Sequence, residues 1–426
     1  MNNLSAFSAS STFKLLCLSN GHGEDVIAVR ILQELQQLTT IDIAALPIVG
    51  EGRAYTQLSI PIIGTVKTMP SGGFIYMDGR QVIRDLRYGL LKLTLSQIEI
   101  VRSWAKGGVI LAVGDIVPLL FAWASGANYA FVGTAKSEYY RKDESNWHSR
   151  KSPLARLENL SASVYHPLDR YLMRHPRCKA VFPRDTLTTK TLQKLAIPAF
   201  DLGNPMMDGL EPQDVLKLES DPQRLTILLL PGSRPPEAYE NWQQILVAVT
   251  EIIAAFPTQS LVFLGAIAPT LTLETLCQSL VDSGFSQNDL TFKHKNALLI
   301  LTQNAYNDCL HQADLAIAMA GTATEQFIGL GKPAIAFPGK GPQYTYAFAE
   351  AQSRHLGSSL ILLEHPQQVA DTVRSLLQDP QKLEQIAKNG YQRMGNPGAA
   401  RRIAQCLIKQ FDYPNQESSE PRRNCL

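Results

Sequence analysis

The sequence predicts an α/β protein with two Rossmann-like domains, each built on a parallel sheet. Several apolar runs end at a glycine-containing turn and are followed by a helical segment, which is the pattern of a strand, a turn and a helix. One such unit joins strand 13–18 to a helix from 26 to about 38, and another joins strand 315–320 to the residues after Gly321. A chain of 426 residues is long enough for two domains of ordinary size, each with its own core.

The other strand candidates follow one another at intervals that leave room for helices between them. They lie at 41–48, 108–113, 128–132 and 178–182 in the first half, and at 225–230, 261–264, 298–302 and 334–337 in the second. Helical segments are predicted at 168–173, 185–195, 237–256, 366–390 and 399–411. Strands that alternate with helices are typical of parallel sheets. The polar segment 137–153 has no clear period and is predicted to be a long loop.

Charge and cysteine usage narrow the protein class. The net charge is +2, but residues 1–205 carry 23 Lys and Arg against 16 Asp and Glu, whereas residues 206–426 carry 17 against 22. The first half is therefore better suited to an anionic surface. The cysteines, at 17, 178, 277, 309, 406 and 425, lack C-x-x-C spacing and are typical of reduced thiols in a cytosolic protein. No stretch of 18 uncharged apolar residues predicts a membrane-spanning helix, and residues 1–12 lack the features of a secretory signal.

The turn at Gly321 predicts an anion site. Thr322 and Thr324 can cap the helix that starts there, and Glu325 stands at capping-box spacing from Thr322. Unpaired N–H groups and the helix dipole, about half a positive charge, face one point at such a helix start. A second glycine-rich turn follows strand 334–337, so that two turns beside one sheet can hold one nucleotide. A lone turn of this kind is equally compatible with an ordinary βαβ unit.

Strand 225–230 ends in Pro-Gly-Ser-Arg, and the guanidinium of Arg234 is well placed there to bind a diphosphate through two hydrogen bonds. The motifs LLLPGSR, AMAGTATEQFIGLGKPAIAF and GPQY resemble the carboxy-terminal half of lipid-A-disaccharide synthase and, more loosely, of the peptidoglycan GlcNAc transferase MurG. Both are nucleotide-sugar glycosyltransferases of the GT-B fold, in which two Rossmann-like domains face each other across a cleft. The resemblance implies a donor nucleotide site made of Gly232, Ser233, Arg234, Gly265, Gly321, Thr322, Ala323, Thr324, Glu325, Gln343 and Tyr344.

Within this implied site, the acceptor-only carboxylate of Glu325 suits the ribose hydroxyls, a role that can coexist with capping. Negative charge builds on the departing diphosphate during transfer, and Arg234 with the helix-start N–H groups can stabilise it. No D-x-D pair occurs where Mg²⁺ would be needed, so the sequence predicts no metal. The turn at 19–25 does not match G-x-G-x-x-G, which disfavours a dinucleotide cofactor. The resemblance implies a UDP-sugar as substrate and no cofactor.

The resemblance and the composition together predict six segments. They are a disordered lead-in (1–12), an acceptor- and membrane-side Rossmann-like domain (13–205), a linker (206–223), a nucleotide-sugar-binding domain (224–395), a final helix packing back on the first domain (396–411) and a disordered tail (412–426).

Three residues of the first domain are candidates for the base that accepts a proton from an attacking sugar hydroxyl. Asp115 follows strand 108–113, and carboxylates at strand ends point into the ligand crevice of an α/β sheet. His22 and Asp25 lie in the first turn. Asp25 matches the acid that ends the glycine-rich loop of lipid-A-disaccharide synthase, and MurG-like enzymes carry a histidine in the turn equivalent to that of His22. His22 is also compatible with a polar turn residue bound to backbone, and the sequence leaves the choice of base open.

A basic amphipathic stretch predicts contact with a membrane surface. Arg80, Arg84 and Arg87 share one helical face among apolar residues, which suits anionic lipid headgroups. A solvated surface helix is the alternative interpretation. The region corresponds to the one where the family meets its lipid acceptor and the bilayer, and it implies a cytoplasmic protein held peripherally at the inner membrane.

The resemblance, together with the absence of a D-x-D pair, implies an inverting, metal-independent transferase that moves a GlcNAc-type or other hexose from a UDP-sugar to a lipid-linked acceptor. The expected partners are the UDP-sugar, the lipid acceptor and the membrane surface, with no nucleic acid. Two alternatives remain open: a UDP-GlcNAc 2-epimerase, which shares the two-domain fold, and a non-catalytic nucleotide- or lipid-binding protein. The sequence does not specify the sugar, the acceptor or the oligomeric state.

Overall fold

The computed structural model describes residues 14–64, 90–141, 163–219, 221–341 and 343–412. The predicted lead-in 1–12, the arginines at 80, 84 and 87, and the predicted tail beyond Asp412 lie outside the described residues. The chain forms two compact units. The first consists of the described parts of Met1–Ser137, Ser161–Asp208 and Pro397–Leu426, and the second of those of Glu138–Leu160 and Gly209–Asn396.

The first unit contains a five-stranded parallel sheet in the order β2-β1-β3-β4-β5. Its strands are β1 (Lys14–Ser19), β2 (Asp42–Pro47), β3 (Gly108–Gly114), β4 (Asn128–Gly133) and β5 (Cys178–Phe182). Its helices are α1 (His22–Leu38), α2 (Arg53–Gln57), α3 (Leu90–Trp104), α4 (Ile116–Ala124), α5 (Pro167–Arg174) and α6 (Thr186–Lys194). The strand order reverses between β1 and β3, so their carboxyl ends form the crevice where α/β sheets bind ligands.

Alternation along β1 explains why apolar runs predicted these strands. Leu15 and Cys17 belong to the apolar cluster on one face of the sheet, and Leu16 and Leu18 belong to the cluster on the other. All four are fully buried. A strand covered on both faces must be apolar at successive positions, which is the usual state of parallel sheets.

The second unit contains an eight-stranded sheet in the order β13-β12-β11-β6-β7-β10-β9-β8. Its strands are β6 (Leu225–Leu230), β7 (Leu261–Ala266), β8 (Ser286–Asn288), β9 (Thr291–His294), β10 (Ala297–Thr302), β11 (Leu315–Ala318), β12 (Ala334–Ala336) and β13 (Leu360–Leu362). Its helices are α7 (Glu237–Ala255), α8 (Leu273–Asp282), α9 (Tyr306–Gln312), α10 (Thr322–Gly329), α11 (Tyr346–Leu356), α12 (Val369–Leu377) and α13 (Pro380–Met394).

Six of these strands are parallel, and the antiparallel β8 and β9 extend the edge beside β10. The order of the parallel strands reverses between β6 and β11, so the crevice of this sheet lies at the carboxyl ends of those two strands. The exposed polar strand β8 (Ser-Gln-Asn) carries no apolar alternation, and the sequence did not predict it.

The last helix, α14 (Ala399–Gln410), belongs to the first unit and packs on α1. Ile403 and Leu407 are fully buried in the cluster that also contains Ile31 and Leu35. Asp208 fixes the start of α14, because its carboxylate accepts hydrogen bonds from the backbone N–H groups of residues 398, 399 and 400. These bonds satisfy donors that a helix start otherwise leaves unpaired.

The segment after Asp208 is anchored on α9 of the second unit. Four successive backbone N–H groups, at 213–216, donate to the carboxylate of Asp308. Asn307 donates to the carbonyl oxygens of Gly209 and Glu211. Most of the predicted linker 206–223 is therefore held against the second unit by side chains of one short helix.

The start of the predicted loop 137–153 is ordered on the second unit. Residues Glu138–Arg141 form a 3₁₀ helix rather than an irregular loop, and residues 142–162 lie outside the described part. Tyr139 is buried beneath the Arg393 guanidinium, which lies 3.9 Å from its ring centre, and Tyr140 stacks on His355. Among the described residues, no helix combines the length and apolarity needed to cross a membrane.

Candidate functional site

Four side chains meet at the carboxyl ends of β1, β3 and β4 in the first unit. Asn20 and Glu24 follow β1, Asp115 follows β3, and Thr134 follows β4. The Asn20 amide donates to both oxygens of Asp115 at 3.2 Å, and the Thr134 hydroxyl donates to Glu24 at 3.5 Å. We call these residues the first-unit cluster. It occupies the crevice that the strand order creates, and it contains two carboxylates.

Asp115 lies where the sequence predicted it, directly after a buried strand, and it also caps α4. Its side chain accepts a hydrogen bond from the backbone N–H of Val117 at 2.8 Å. Burial raises the pKa of Asp115, while the hydrogen bonds from Val117 and Asn20 and the charge of Lys136 lower it, with a net rise. The carboxylate is thus held in a fixed orientation by N–H donors.

Asp25, the second predicted base, lies in the interior of the first unit. It is 2% exposed, and the Ser19 hydroxyl donates to its carboxylate at 2.5 Å. Tyr55, itself fully buried, donates to Ser19 in turn. Burial raises the pKa of Asp25 to about 6. These contacts place the carboxylate in a polar network behind β1 rather than at the surface where a sugar hydroxyl could reach it.

His22, the third predicted base, is the first residue of α1, so that the helix starts four residues earlier than predicted. Gly21 stands at the N-cap with φ 137°, a conformation that favours glycine. His22 to Asp25 therefore form the first helical turn. This shift explains why neighbouring acids face different surroundings, since successive residues of a helix point about 100° apart.

Glu24 is a residue of this site that sequence reasoning missed. It is partly exposed, unlike Asp25, and its stem passes over Gly114, where an added Cβ would lie 3.3 Å from the Glu24 Cγ. Burial raises the pKa of Glu24 to about 7, and the negative charges of Asp115 and Asp25 contribute to the rise. The sequence feature that could have identified Glu24 is its position, because it follows a predicted strand in the same turn as Asp25.

In the second unit, the turns after β6 and β11 lie side by side. Leu230 and Ala318 are paired in register, and the backbone N–H of Met319 donates to the carbonyl oxygen of Leu230. Gly232 has φ +101°, and an added Cβ would lie 3.2 Å from the carbonyl oxygen of Met319. The predicted Ser233 and Arg234 are exposed at the end of this turn. Glycine is thus required where the two turns approach each other.

Helix α10 starts at Thr322 with Gly321 as its N-cap, and no side chain caps it, so the predicted threonine caps are wrong. Thr324 is fully buried and donates instead to the carbonyl oxygen of Ala320, and Gln352 donates to the carbonyl oxygens of Ala320 and Gly321. The turn is therefore fixed through its carbonyl groups. The N–H groups of residues 322–324, including that of the predicted Ala323, have no acceptor within the helix and suit an anion.

Glu325 is buried one turn into α10, close to a histidine. Its Oε1 lies 3.8 Å from Nε2 of His355, which is fully buried and stacked on Tyr140 with 4.8 Å between ring centres. The side chain of Glu325 is 10% exposed. Its capping-box role is not observed, because Gly321 provides no side-chain acceptor.

The predicted Gln343 and Tyr344 belong to a turn that Glu237 holds in place. The buried Glu237 carboxylate accepts hydrogen bonds from the backbone N–H groups of both residues. Gln343 is exposed, whereas Tyr344 is 4% exposed and donates to the carbonyl oxygen of Ala318. Tyr344 therefore supports β11 from behind. Glu237, 106 residues before Gln343, could not be linked to this turn from sequence spacing.

Gly265 is buried within β7. An added Cβ there would lie 2.6 Å from Leu301, so packing against the neighbouring strand explains the glycine. The predicted membrane-facing arginines 80, 84 and 87 lie outside the described residues. In the part of the chain that the structure describes, no group of three or more His, Cys, Asp or Glu side chains is arranged to hold a metal ion.

Comparisons with known proteins agree with this architecture. No protein-family model matches the chain, and no curated protein matches its sequence. Among solved structures, it is similar to MnaA of S. aureus in a co-structure with UDP, with a TM-score of 0.59 and 12% identity over 96% of this chain and 99% of that one. It is also similar to Acinetobacter baumannii MurG, with a TM-score of 0.57 and 15% identity over 93% of this chain and 99% of that one.

UDP-GlcNAc 2-epimerase from Neisseria meningitidis, bound to UDP-GlcNAc, gives a TM-score of 0.55 and 16% identity over 93% of this chain and 100% of that one. Identities this low establish the fold alone. The similarity extends over nearly the whole length of both chains in each case. The chain is an α/β protein with two Rossmann-like domains and the GT-B fold.

Proposed function

We propose that this protein is a UDP-sugar-dependent hexosyltransferase that transfers a GlcNAc-type or related sugar to a lipid-linked acceptor at the cytoplasmic face of a membrane. The observation that carries the proposal is the pair of turns after β6 and β11. They bring Gly232, the exposed Arg234 and the start of α10 to the crevice of one sheet. This combination suits a diphosphate, and similar folds have been solved with UDP and UDP-GlcNAc bound.

The second unit stabilises the leaving group in this proposal. When the bond between the anomeric carbon and the diphosphate breaks, the electron pair departs with UDP, and negative charge grows on its oxygens. The Arg234 guanidinium and the N–H groups of residues 322–324 supply donors for that charge. Glu325 accepts hydrogen bonds from the ribose, and the turn held by Glu237 contributes Gln343. The donors are fixed before the reaction, so little reorganisation accompanies the charge transfer.

The first unit activates the acceptor. Its cluster of Asn20, Glu24, Asp115 and Thr134 offers carboxylates at a ligand crevice. A hydroxyl nucleophile needs a general base, and a carboxylate within hydrogen-bond reach can act as one. Inversion by single displacement, a lipid-linked acceptor and peripheral membrane attachment come from the resemblance to lipid-A-disaccharide synthase. The arginines at 80, 84 and 87 are the proposed contacts with the lipid surface.

A UDP-GlcNAc 2-epimerase is the second candidate, because several of the similar solved structures are such enzymes. Both reactions break the bond between sugar and diphosphate, so the donor site alone does not separate them. Incubation with UDP-GlcNAc alone, followed by NMR of the sugar, distinguishes them. A transferase leaves the C2 configuration of the sugar unchanged, and when a lipid extract is added it releases UDP and forms a glycolipid. An epimerase produces the C2 epimer without any acceptor.

Calorimetric titration with UDP, using ADP and GDP as controls, tests the donor site. We expect selective UDP binding, weakened about 10- to 100-fold by Arg234→Ala, since a charge-assisted hydrogen bond is worth about 1.5–3 kcal/mol. The separate variant Glu325→Ala is also expected to weaken UDP binding, because it removes the acceptor for the ribose hydroxyls. Arg374→Ala is the matched control, because Arg374 is an exposed arginine of the same unit that pairs with Asp371.

A folded protein that binds none of the three nucleotides would refute the donor-site assignment and, with it, both enzymatic candidates. Selective UDP binding without any turnover would instead favour the third possibility, a non-catalytic binding protein. Equal binding of UDP by the Arg234→Ala variant would show that the diphosphate contacts another part of the unit.

A further inference from the structure

We infer that Glu24 is the catalytic residue that accepts the proton of the attacking hydroxyl, and that Asp115 is a positioning residue beside it. The inference rests on the proposed transferase function and assigns a role within it that neither the sequence motifs nor the resemblance indicated. It follows from how the three carboxylates near the end of β1 are bonded and exposed.

The hydrogen-bond partners of the three carboxylates differ. Asp115 is held by two N–H donors, the Val117 backbone and the Asn20 amide, which contacts both oxygens. Asp25 is buried and bonded to Ser19. The Glu24 carboxylate accepts a hydrogen bond from its own backbone N–H and one long hydrogen bond, at 3.5 Å, from the Thr134 hydroxyl. Since an ionised carboxylate can accept about four hydrogen bonds, it keeps acceptor capacity for an incoming hydroxyl.

The position of Glu24 also suits contact with a substrate. It stands in the first turn of α1, at the point where the strand order reverses, and its stem crosses Gly114. An added Cβ at Gly114 would lie 3.3 Å from the Glu24 Cγ, a tight contact, so the glycine leaves more space for the side chain of Glu24. Glu24 is partly exposed whereas Asp25 is not, so of these two neighbours only Glu24 can reach a ligand in the crevice.

The charges that face Glu24 support the assignment. Asp25 on its own helix and Asp115 after β3 are both negative, and Thr134 and Asn20 are neutral. Lys136 and Asp169, which pair with each other at 2.7 Å, act on Asp115. Burial and these two acids raise the pKa of Glu24 to about 7. A general base is most effective when its pKa lies near the working pH.

The proposed step is balanced as follows. The acceptor oxygen forms a bond to the anomeric carbon while the bond from that carbon to the diphosphate oxygen breaks. The hydroxyl proton passes to the Glu24 carboxylate, and the electron pair of the broken bond leaves on UDP. Asp115, oriented by Asn20, lies beside Glu24, and its negative charge raises the pKa of Glu24.

The test combines a titration with an activity measurement. The protein is labelled with ¹³C at the glutamate carboxyl carbons, and the Glu24 signal is identified as the one missing from Glu24→Gln. We expect that signal to titrate near pH 7 and to move to lower pH in Asp115→Asn. A Glu24 signal that titrates near the ordinary value of 4.5 would overturn the inference.

Activity is measured as UDP release from UDP-GlcNAc with a bacterial lipid extract as the acceptor source. We expect Glu24→Gln to lower the rate at pH 8 by at least about 100-fold and to remove the acid limb of the pH profile, with the UDP dissociation constant unchanged. Glu34→Gln is the matched control: Glu34 lies on the same helix, pairs with Arg401 and is expected to leave activity unchanged.

The outcomes separate the inference from the proposed function. If Glu24→Gln binds UDP and retains its rate while Asp115→Asn loses it, the transferase function stands and Asp115, not Glu24, is the base. If the wild-type protein neither binds UDP nor releases it, the proposed function fails, and the role assigned to Glu24 fails with it.

Discussion

Replacing Asp308 should release the segment that follows the first unit from α9. The Asp308 carboxylate accepts four backbone N–H groups at 2.6–3.0 Å, two on each oxygen. In Asp308→Asn, one oxygen becomes an NH₂ group, which in either orientation of the amide faces two of the four N–H donors. Hydrogen bonds to a charged group contribute about 1.5–3 kcal/mol each. Because residues 213–215 are exposed and their N–H groups can be hydrated, we expect the low end, a total loss of about 3 kcal/mol.

Hydrogen exchange of the amides at 213–216, read by mass spectrometry, measures this directly. We expect protection of these amides to be lost in Asp308→Asn while the strands of the second unit stay protected. Asp221→Asn is the matched control, since Asp221 is exposed and accepts one backbone N–H, from Gln223, at 3.0 Å. Urea unfolding, followed by the fluorescence of the buried Trp242, gives the free-energy difference.

The pH dependence provides a second check. Burial raises the pKa of Asp308, but the four N–H groups lower it more, so that it lies below the ordinary 3.8. The unfolded chain therefore binds the proton first as the pH falls, and the stabilisation is complete above pH 3.8 and is lost below it. Wild type and Asp308→Asn should differ by a constant amount from pH 8 to 5 and converge in more acidic solution. Unchanged exchange at 213–216 in the variant would refute the reasoning.

Three further predictions concern the two units. Asp25→Asn should stabilise the first unit at pH 8 by at most about 3 kcal/mol and have no effect at pH 3.5. The reason is that folding raises the Asp25 pKa from 3.8 to about 6, so that ionisation of Asp25 costs stability in the folded protein. A urea titration at both pH values tests this. Gly232→Ala should cost about 1–2 kcal/mol, because of its φ of +101°. Gly321→Ala should cost less in thermal unfolding, because Gly321 has φ −82° and ψ −90° and an added Cβ would lie 3.6 Å from Phe348. Asp208→Ala should cost about 1–2 kcal/mol and speed amide exchange in the first turn of α14; unchanged exchange there would contradict the capping role.

The strands and the turns after β6 and β11 could be predicted from the sequence because both depend on local chemistry. Apolar runs such as 225–230 are buried on both sides, and Gly232 stands where two turns approach. The GT-B fold followed from these units together with the motif resemblance. The caps of α10 were predicted wrongly because the helix starts directly after Gly321, so that Thr322 and Thr324 lie inside its first turn. The Thr324 hydroxyl donates to the carbonyl oxygen of Ala320 instead. The bond from Gln352 to Gly321, which spans 31 residues, has no local signal.

The first-unit cluster was only half predictable for a related reason. Placing the start of α1 at 26 instead of His22 left Glu24 and Asp25 in a loop, and only Asp25 was proposed as a base, because it matched the acid of the family's glycine-rich loop. Two glycines among the first residues made the helix start look later than it is, since glycine is a poor helix former. Once the turn is helical, the residues separate by direction, and Asp25 faces the interior while Glu24 faces the crevice.

The charges of the two sites are opposite to those of the chain halves that contain them. The first half carries an excess of Lys and Arg, yet its crevice holds the carboxylates of Glu24 and Asp115. The second half carries an excess of Asp and Glu, yet its crevice offers Arg234 and a helix start. Interactions between exposed charges are largely screened beyond about 10 Å, so the site chemistry depends on the few groups at the strand ends. Net charge therefore bears on the surface that each half presents to a lipid or to solvent, and strand order determines which groups act on a substrate.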